Sequence, residues 1–128
     1  MNVMKKYFVL FALCLMMSTS YADQNKMLIA KNICDKSEKL SLIAQEARQD
    51  NLLPSEATTK LLNYLNTQKL IEFERDSLTK MVFVIVSDAY QAPVFNDQIK
   101  RNNVITGFAQ HTYTACLDAL NNELFKKK

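Results

Sequence analysis

Six consecutive apolar residues, Met81-Val82-Phe83-Val84-Ile85-Val86 (MVFVIV), decide the fold class of this chain. Alone they read as a strand, because β-branched and aromatic side chains favour a pleated sheet. Their surroundings argue for a helix. Leu70, Phe73, Leu78 and Ala89 extend the pattern of Met81, Val82 and Ile85 at helical steps on both sides. No second run stands ready to pair with the segment as a strand. The stretch is therefore expected in a third helix over about Thr67 to Tyr90, apolar all round and so central and buried. Pro93 ends it, since the residue before proline is pushed out of the helical region.

Working outward, the same period returns three times. From Asn25 to about Asp50, Ile29, Ile33, Leu40, Ile43, Ala44 and Ala47 mark one face of an amphipathic helix, with a weak spot near Lys36 and a stop at Asp50-Asn51. The intervening Lys, Asp, Glu, Ser and Gln read as its polar side. Leu52-Leu53-Pro54-Ser55-Glu56 opens a short second helix. Proline suits its first position because the missing N–H would be unpaired there anyway, and Glu56 suits the helix dipole. Ala57, Leu61, Leu62, Tyr64 and Leu65 form its buried side, and it ends near Asn66-Thr67. Asn96 or Asp97 caps a fourth helix carrying Ile99, Val104, Ile105, Phe108, Thr112, Cys116, Ala119, Leu120 and Leu124. Gly107 inside it costs about 1 kcal/mol relative to alanine. Its expected use is close approach of a neighbouring helix or a slight bend. With a single glycine and only two prolines in the chain, long helices are favoured over a turn-rich β fold. The expectation is an all-α, small orthogonal or bundle-like domain of about four helices.

The N-terminus reads as an address. Lys5 and Lys6 precede an apolar run of eleven residues, Tyr7 to Met17, and Ser20-Tyr21-Ala22 supplies a small-x-small exit. That layout predicts a secretory signal peptide cleaved after Ala22, leaving one domain over residues 23–128. A membrane span needs roughly 20 apolar residues, about twice this run. Cys14 lacks the small residue that lipid attachment wants just before it. Removing Lys5 and Lys6 takes the sixteen basic residues to fourteen, against thirteen acidic. Three of the remaining positives are the tail Lys126, Lys127 and Lys128. Charge is mixed along every segment, so no basic face points to nucleic acid.

Cleavage would leave two cysteines, Cys34 in the first helix and Cys116 in the last. In an oxidising compartment such a pair reads as a disulfide, and it would make the two helices neighbours. Closing a loop of that length contributes ~4.5 kcal/mol in the chain-entropy picture. A metal reading lacks ligands, since there is one histidine and no Cys-x-x-Cys. His111 has only Gly107, Phe108, Thr114 and Ala115 on its helical face, none an orienting carboxylate. Neither a phosphate-cradling glycine loop nor a nucleophile elbow is present. No catalytic, cofactor or metal residue is assigned.

Three stretches taken together, Ile43–Ala57 (IAQEARQDNLLPSEA), Ile85–Phe95 (IVSDAYQAPVF) and Gly107–Leu120 (GFAQHTYTACLDAL), resemble a broad group of small exported bacterial and prophage-encoded helical proteins with no assigned activity. The matching positions are Ala47-Arg48, Asp88-Ala89-Tyr90, Pro93, Phe108, Tyr113 and Cys116, with Cys34 as the early partner. The resemblance implies export, a helical fold and one disulfide, and carries no catalytic residues. Tyr90, Pro93 and Phe95 are expected to form the corner between the third and fourth helices, with Arg48 paired to Asp88 across it. The functional expectation is a periplasmic or secreted, non-enzymatic binding protein that engages or inhibits a protein partner, immunity- or inhibitor-like, through an apolar or acidic patch near Pro93–Phe95. A periplasmic acid-stress chaperone and an unrecognised hydrolase with converging carboxylates are the alternatives. Oligomeric state is left open.

Overall fold

The computed structural model describes residues 23–124. The segment expected to be a signal peptide, with its expected cleavage after Ala22, and the lysine tail lie outside the described residues, as does the side chain of Leu124. Four helices follow one another: α1 Asp23–Gln49, α2 Pro54–Asn66, α3 Glu72–Ala89 and α4 Gln98–Leu124. Among the described residues there is no strand, so MVFVIV is helical as its flanks require.

The long helix α1 is the spine. It packs against all three others, most extensively against α4, while α2 and α3 pack on each other. Between α3 and α4 there is no comparable packing. The core runs along α1 through Ile33, Cys34, Leu40, Ala44 and Ala47 and is filled from α2 by Leu61 and Leu65. Leu78, Val82 and Ile85 of α3 and Cys116, Ala119 and Leu120 of α4 complete it. The cysteines are joined, with Cα atoms 5.6 Å apart and both side chains fully buried. The bond links α1 to α4 across the seam where they pack.

The helix ends inside the described segment have identifiable causes. Asn51 adopts a positive φ of 60° after α1. Leu52 N–H returns to the Ala47 carbonyl and Asn51 N–H to the Arg48 carbonyl. This is the Schellman arrangement that closes a helix C-terminus, with asparagine taking the left-handed position. Helices α2 and α3 start alike: the N–H of an apolar residue donates to a glutamate three positions on, Leu53 to Glu56 Oε2 at 2.7 Å and Ile71 to Glu74 Oε1 at 3.2 Å. Asp97 Oδ1 accepts from the N–H groups of Ile99 and Lys100, capping α4. Arg75 turns back to the carbonyls of Leu65 and Gln68 and so binds the end of α2 to α3.

Four expectations are corrected. The third helix begins at Glu72, not near Thr67, because Thr67 and Arg75 are spent on closing α2 and Glu74 caps Ile71. Nor is α3 buried all round: Phe83 is 59 % exposed. Its opposite face, Leu78, Val82, Ile85 and Ala89, already fills the space against α1 and α2. Ile99 is exposed too, in the first turn of α4, two residues before Arg101 meets Asp50 just past the end of α1. Finally, a methyl group added at Gly107 would meet nothing within 4 Å, so no neighbouring helix of this chain requires the glycine.

Candidate functional site

The corner after α3 poses a hydrogen-bonding problem. The last carbonyls of any helix lack intrahelical partners, and Pro93 can donate no N–H of its own. Two turn bonds, Gln91 N–H to the Asp88 carbonyl and Ala92 N–H to the Ala89 carbonyl, carry the chain to residue 92. Side chains of α1 do the rest. Gln45 donates to the Ala89 carbonyl at 3.3 Å, Arg48 Nε to the Ala92 carbonyl at 3.0 Å, and Gln49 Nε2 to the Pro93 carbonyl at 2.8 Å. The other end of the Gln49 amide accepts from Phe95 N–H at 2.9 Å. One side-chain amide thus brackets Val94 and replaces the backbone partner that an extended segment normally finds in a sheet. Gln49 Nε2 also lies 3.1 Å from Gln45 Oε1, coupling the two amides.

Tyr90 fastens the same corner to the next loop. Its hydroxyl donates to the Leu52 carbonyl at 2.7 Å, and burial pushes the phenol up, against the opposing charge of Arg48. The Arg48 guanidinium carbon sits 5.2 Å from the Tyr90 ring centroid, within the range of a cation–π contact. Its charge at the end of α3 complements that helix's dipole. Of the expected corner residues, Arg48, Tyr90, Pro93 and Phe95 therefore meet. The pairing of Arg48 with Asp88 does not form. Arg48 reaches past α3 to the Ala92 carbonyl, and among the described residues the salt bridges are Lys31–Asp35 and Arg101–Asp50.

Asp88 instead faces an opening. Because α3 and α4 diverge over α1, a groove of about 360 Å³ remains between them. Gln45 forms part of its lining from α1. Asp88, Gln91 and Ala92 come from the α3 end, and Val104, Gly107 and Phe108 from α4. The lining is predominantly apolar, and Asp88 is its one ionisable side chain. That residue is 6 % exposed, and its Oδ2 is closed off from solvent without a hydrogen-bond partner. Burial raises the Asp88 pKa above its ordinary 3.8, against the opposing charge of His111. His111 itself is exposed. Its helical face holds no carboxylate, but the fold brings Asp88 of α3 within electrostatic reach. Among the described residues no cluster of three or more His, Cys, Asp or Glu side chains is placed to hold a metal, and no helix is long and apolar enough to cross a membrane.

The glutamines are what sequence reasoning missed. Glutamine on an amphipathic helix is ordinarily assigned to solvent, yet Gln45 and Gln49 are fully buried. A signal was present. Ile33, Ser37, Ser41, Gln45 and Gln49 form a four-residue row without a charge, and every member is fully buried. An uncharged row beside the apolar stripe marks a face that packs.

No family model matches the chain, and neither the curated proteins nor the solved structures contain a match to it.

Proposed function

We propose that this chain is an exported binding protein, periplasmic or secreted, which engages or inhibits a protein partner and carries out no chemistry of its own. The groove between α3 and α4 carries the reading. It is large enough for a small cluster of side chains, is mostly apolar, and contains a single ionisable group where acid–base hydrolysis asks for two. Its walls are backed by a scaffold with little freedom to deform, since α1 and α4 are joined covalently and the corner at 90–95 is clamped by the α1 amides. A rigid concave surface loses less entropy on association than a mobile one. Export is supported by the buried disulfide, which persists in oxidising compartments.

The test is position-specific photo-crosslinking in cells making the full chain from its own locus. A photoreactive residue at Val104, in the groove, should give one discrete adduct. The same residue at Lys60, on α2, should not. Gly107→Phe, which fills the groove, should abolish the adduct without lowering the melting temperature. Equal labelling from both positions, or none from Val104, overturns the reading. Export is checked by mass: protein recovered from the envelope should begin at Asp23 and show no free thiol.

A further inference from the structure

Two features of the groove are unexplained by this chain's own folding. The first is Asp88, a carboxyl about nineteen-twentieths buried whose Oδ2 has no partner. Buried polar groups are almost always hydrogen-bonded, and a buried carboxylate without a cation is costly. Arg48 is committed to Ala92 and Tyr90, and His111, whose charge is felt at Asp88 from an exposed position, leaves Oδ2 unpartnered. The second is Gly107, the only glycine in the chain. It stands in the interior of a 27-residue helix, where glycine is disfavoured, and a Cβ would touch nothing. Both residues line the same groove.

We propose that the groove receives a lysine-bearing segment of the protein partner, its ammonium set against Asp88 and its backbone passing over Gly107. This deepens the binding reading above and rests on it. Charge complementarity selects a cation. The apolar lining of Ala92, Val104 and Phe108 selects one on an aliphatic stem, and lysine buries its methylenes while presenting a compact charge. With Oδ2 walled off, a two-pronged approach by a guanidinium is closed, whereas an ammonium needs only one reachable edge of the carboxyl. Absence of a Cβ at Gly107 lets a partner backbone come closer than any other residue allows.

The probe is n-butylammonium, the lysine side chain in miniature, followed by NMR on the folded, disulfide-bonded protein. Saturable shifts are expected at the Asp88 carboxyl carbon and at the amides of Gln91 and Gly107. n-Butanol should bind about tenfold more weakly and n-butyrate not at all. Asp88→Asn should erase the preference for ammonium over alcohol, and Gly107→Leu should block both. In cells, the Val104 crosslink should fall about tenfold in Asp88→Asn. An alcohol that binds as well as the ammonium, absence of saturable binding by either, or an undiminished crosslink in Asp88→Asn overturns the proposal. In the last case the crosslink itself persists, so the groove is still a docking site and only the lysine is wrong. Loss of the crosslink in the unmodified protein refutes the docking reading, and this proposal with it.

Discussion

The two halves of α1 are fastened to the molecule by different chemistry. In the N-terminal half, Cys34 is bonded to Cys116 inside an apolar seam, and one covalent link sets which helices are neighbours. In the C-terminal half no covalent link exists. Gln45, Arg48 and Gln49 hold the corner between α3 and α4 by donating to the carbonyls of Ala89, Ala92 and Pro93. A disulfide acts chiefly on the unfolded chain by shortening its loops. The amide clamp acts on the folded state alone, because each bond replaces water at a carbonyl that burial would otherwise leave unpaired. The first half gives stability to the whole domain. The second sets the local angle at which α3 leaves α4, and so shapes the groove.

The largest effect should come from opening the covalent half. Replacing Cys34 and Cys116 together by alanine should cost about 4 kcal/mol, read as a lower urea midpoint across the whole transition. Next, Gln49→Ala strands the Pro93 carbonyl and Phe95 N–H, and should cost about 2 kcal/mol. Hydrogen exchange should accelerate at Phe95 with little change around Cys34. Equal acceleration at both places would show that the two halves are not separate devices.

Asp88→Asn should move stability the other way, by about 1 kcal/mol at neutral pH. The sign follows from linkage. Burial raises the Asp88 pKa in the native state, so the folded protein binds a proton more tightly than the unfolded one. The wild type therefore gains stability as pH falls from the raised native pKa towards the ordinary value of 3.8, and loses it as pH rises through the same window. The advantage of the asparagine variant should thus be present at pH 7, shrink as the pH falls through that window, and be gone once the solution is more acidic than the ordinary value. An advantage independent of pH would remove burial of the charge as its cause. Gly107→Ala should stabilise the domain by at most about 1 kcal/mol, visible as a higher melting temperature, because nothing in the chain opposes the added methyl. Smallest of all, Asp50→Ala removes the partner of Arg101 on the surface and should cost about 0.5 kcal/mol, an effect that salt should mask.

Some of this was readable in one dimension. The period of the apolar residues identifies four helices, Asp50-Asn51 and Asp97 mark a stop and a start, and the two cysteines announce their bond. These depend on neighbours a few residues apart, or on one pairing with no competitor. Phe83 shows where that reading ends. A run of six apolar residues cannot say which of them faces outward, since that depends on how much surface the other helices have already covered. Gln45 and Gln49 show the same from the polar side. Their hydrogen-bonding partners are backbone groups more than forty residues away, and a carbonyl has no letter in a sequence. Arg48 and Asp88 carry opposite charges, yet the carbonyl and ring within reach of the arginine outbid the carboxylate.

What the sequence determined by itself is the all-helical class and the tie between its first and last helices, because helical period is local and, with Cys14 in the segment expected to be removed, Cys34 and Cys116 are left only each other as partners. Only the tertiary structure decided that α3 and α4 part over α1, leaving Asp88 and Gly107 on one groove. That outcome depends on the angles at which whole helices pack, which sum contacts from distant parts of the chain.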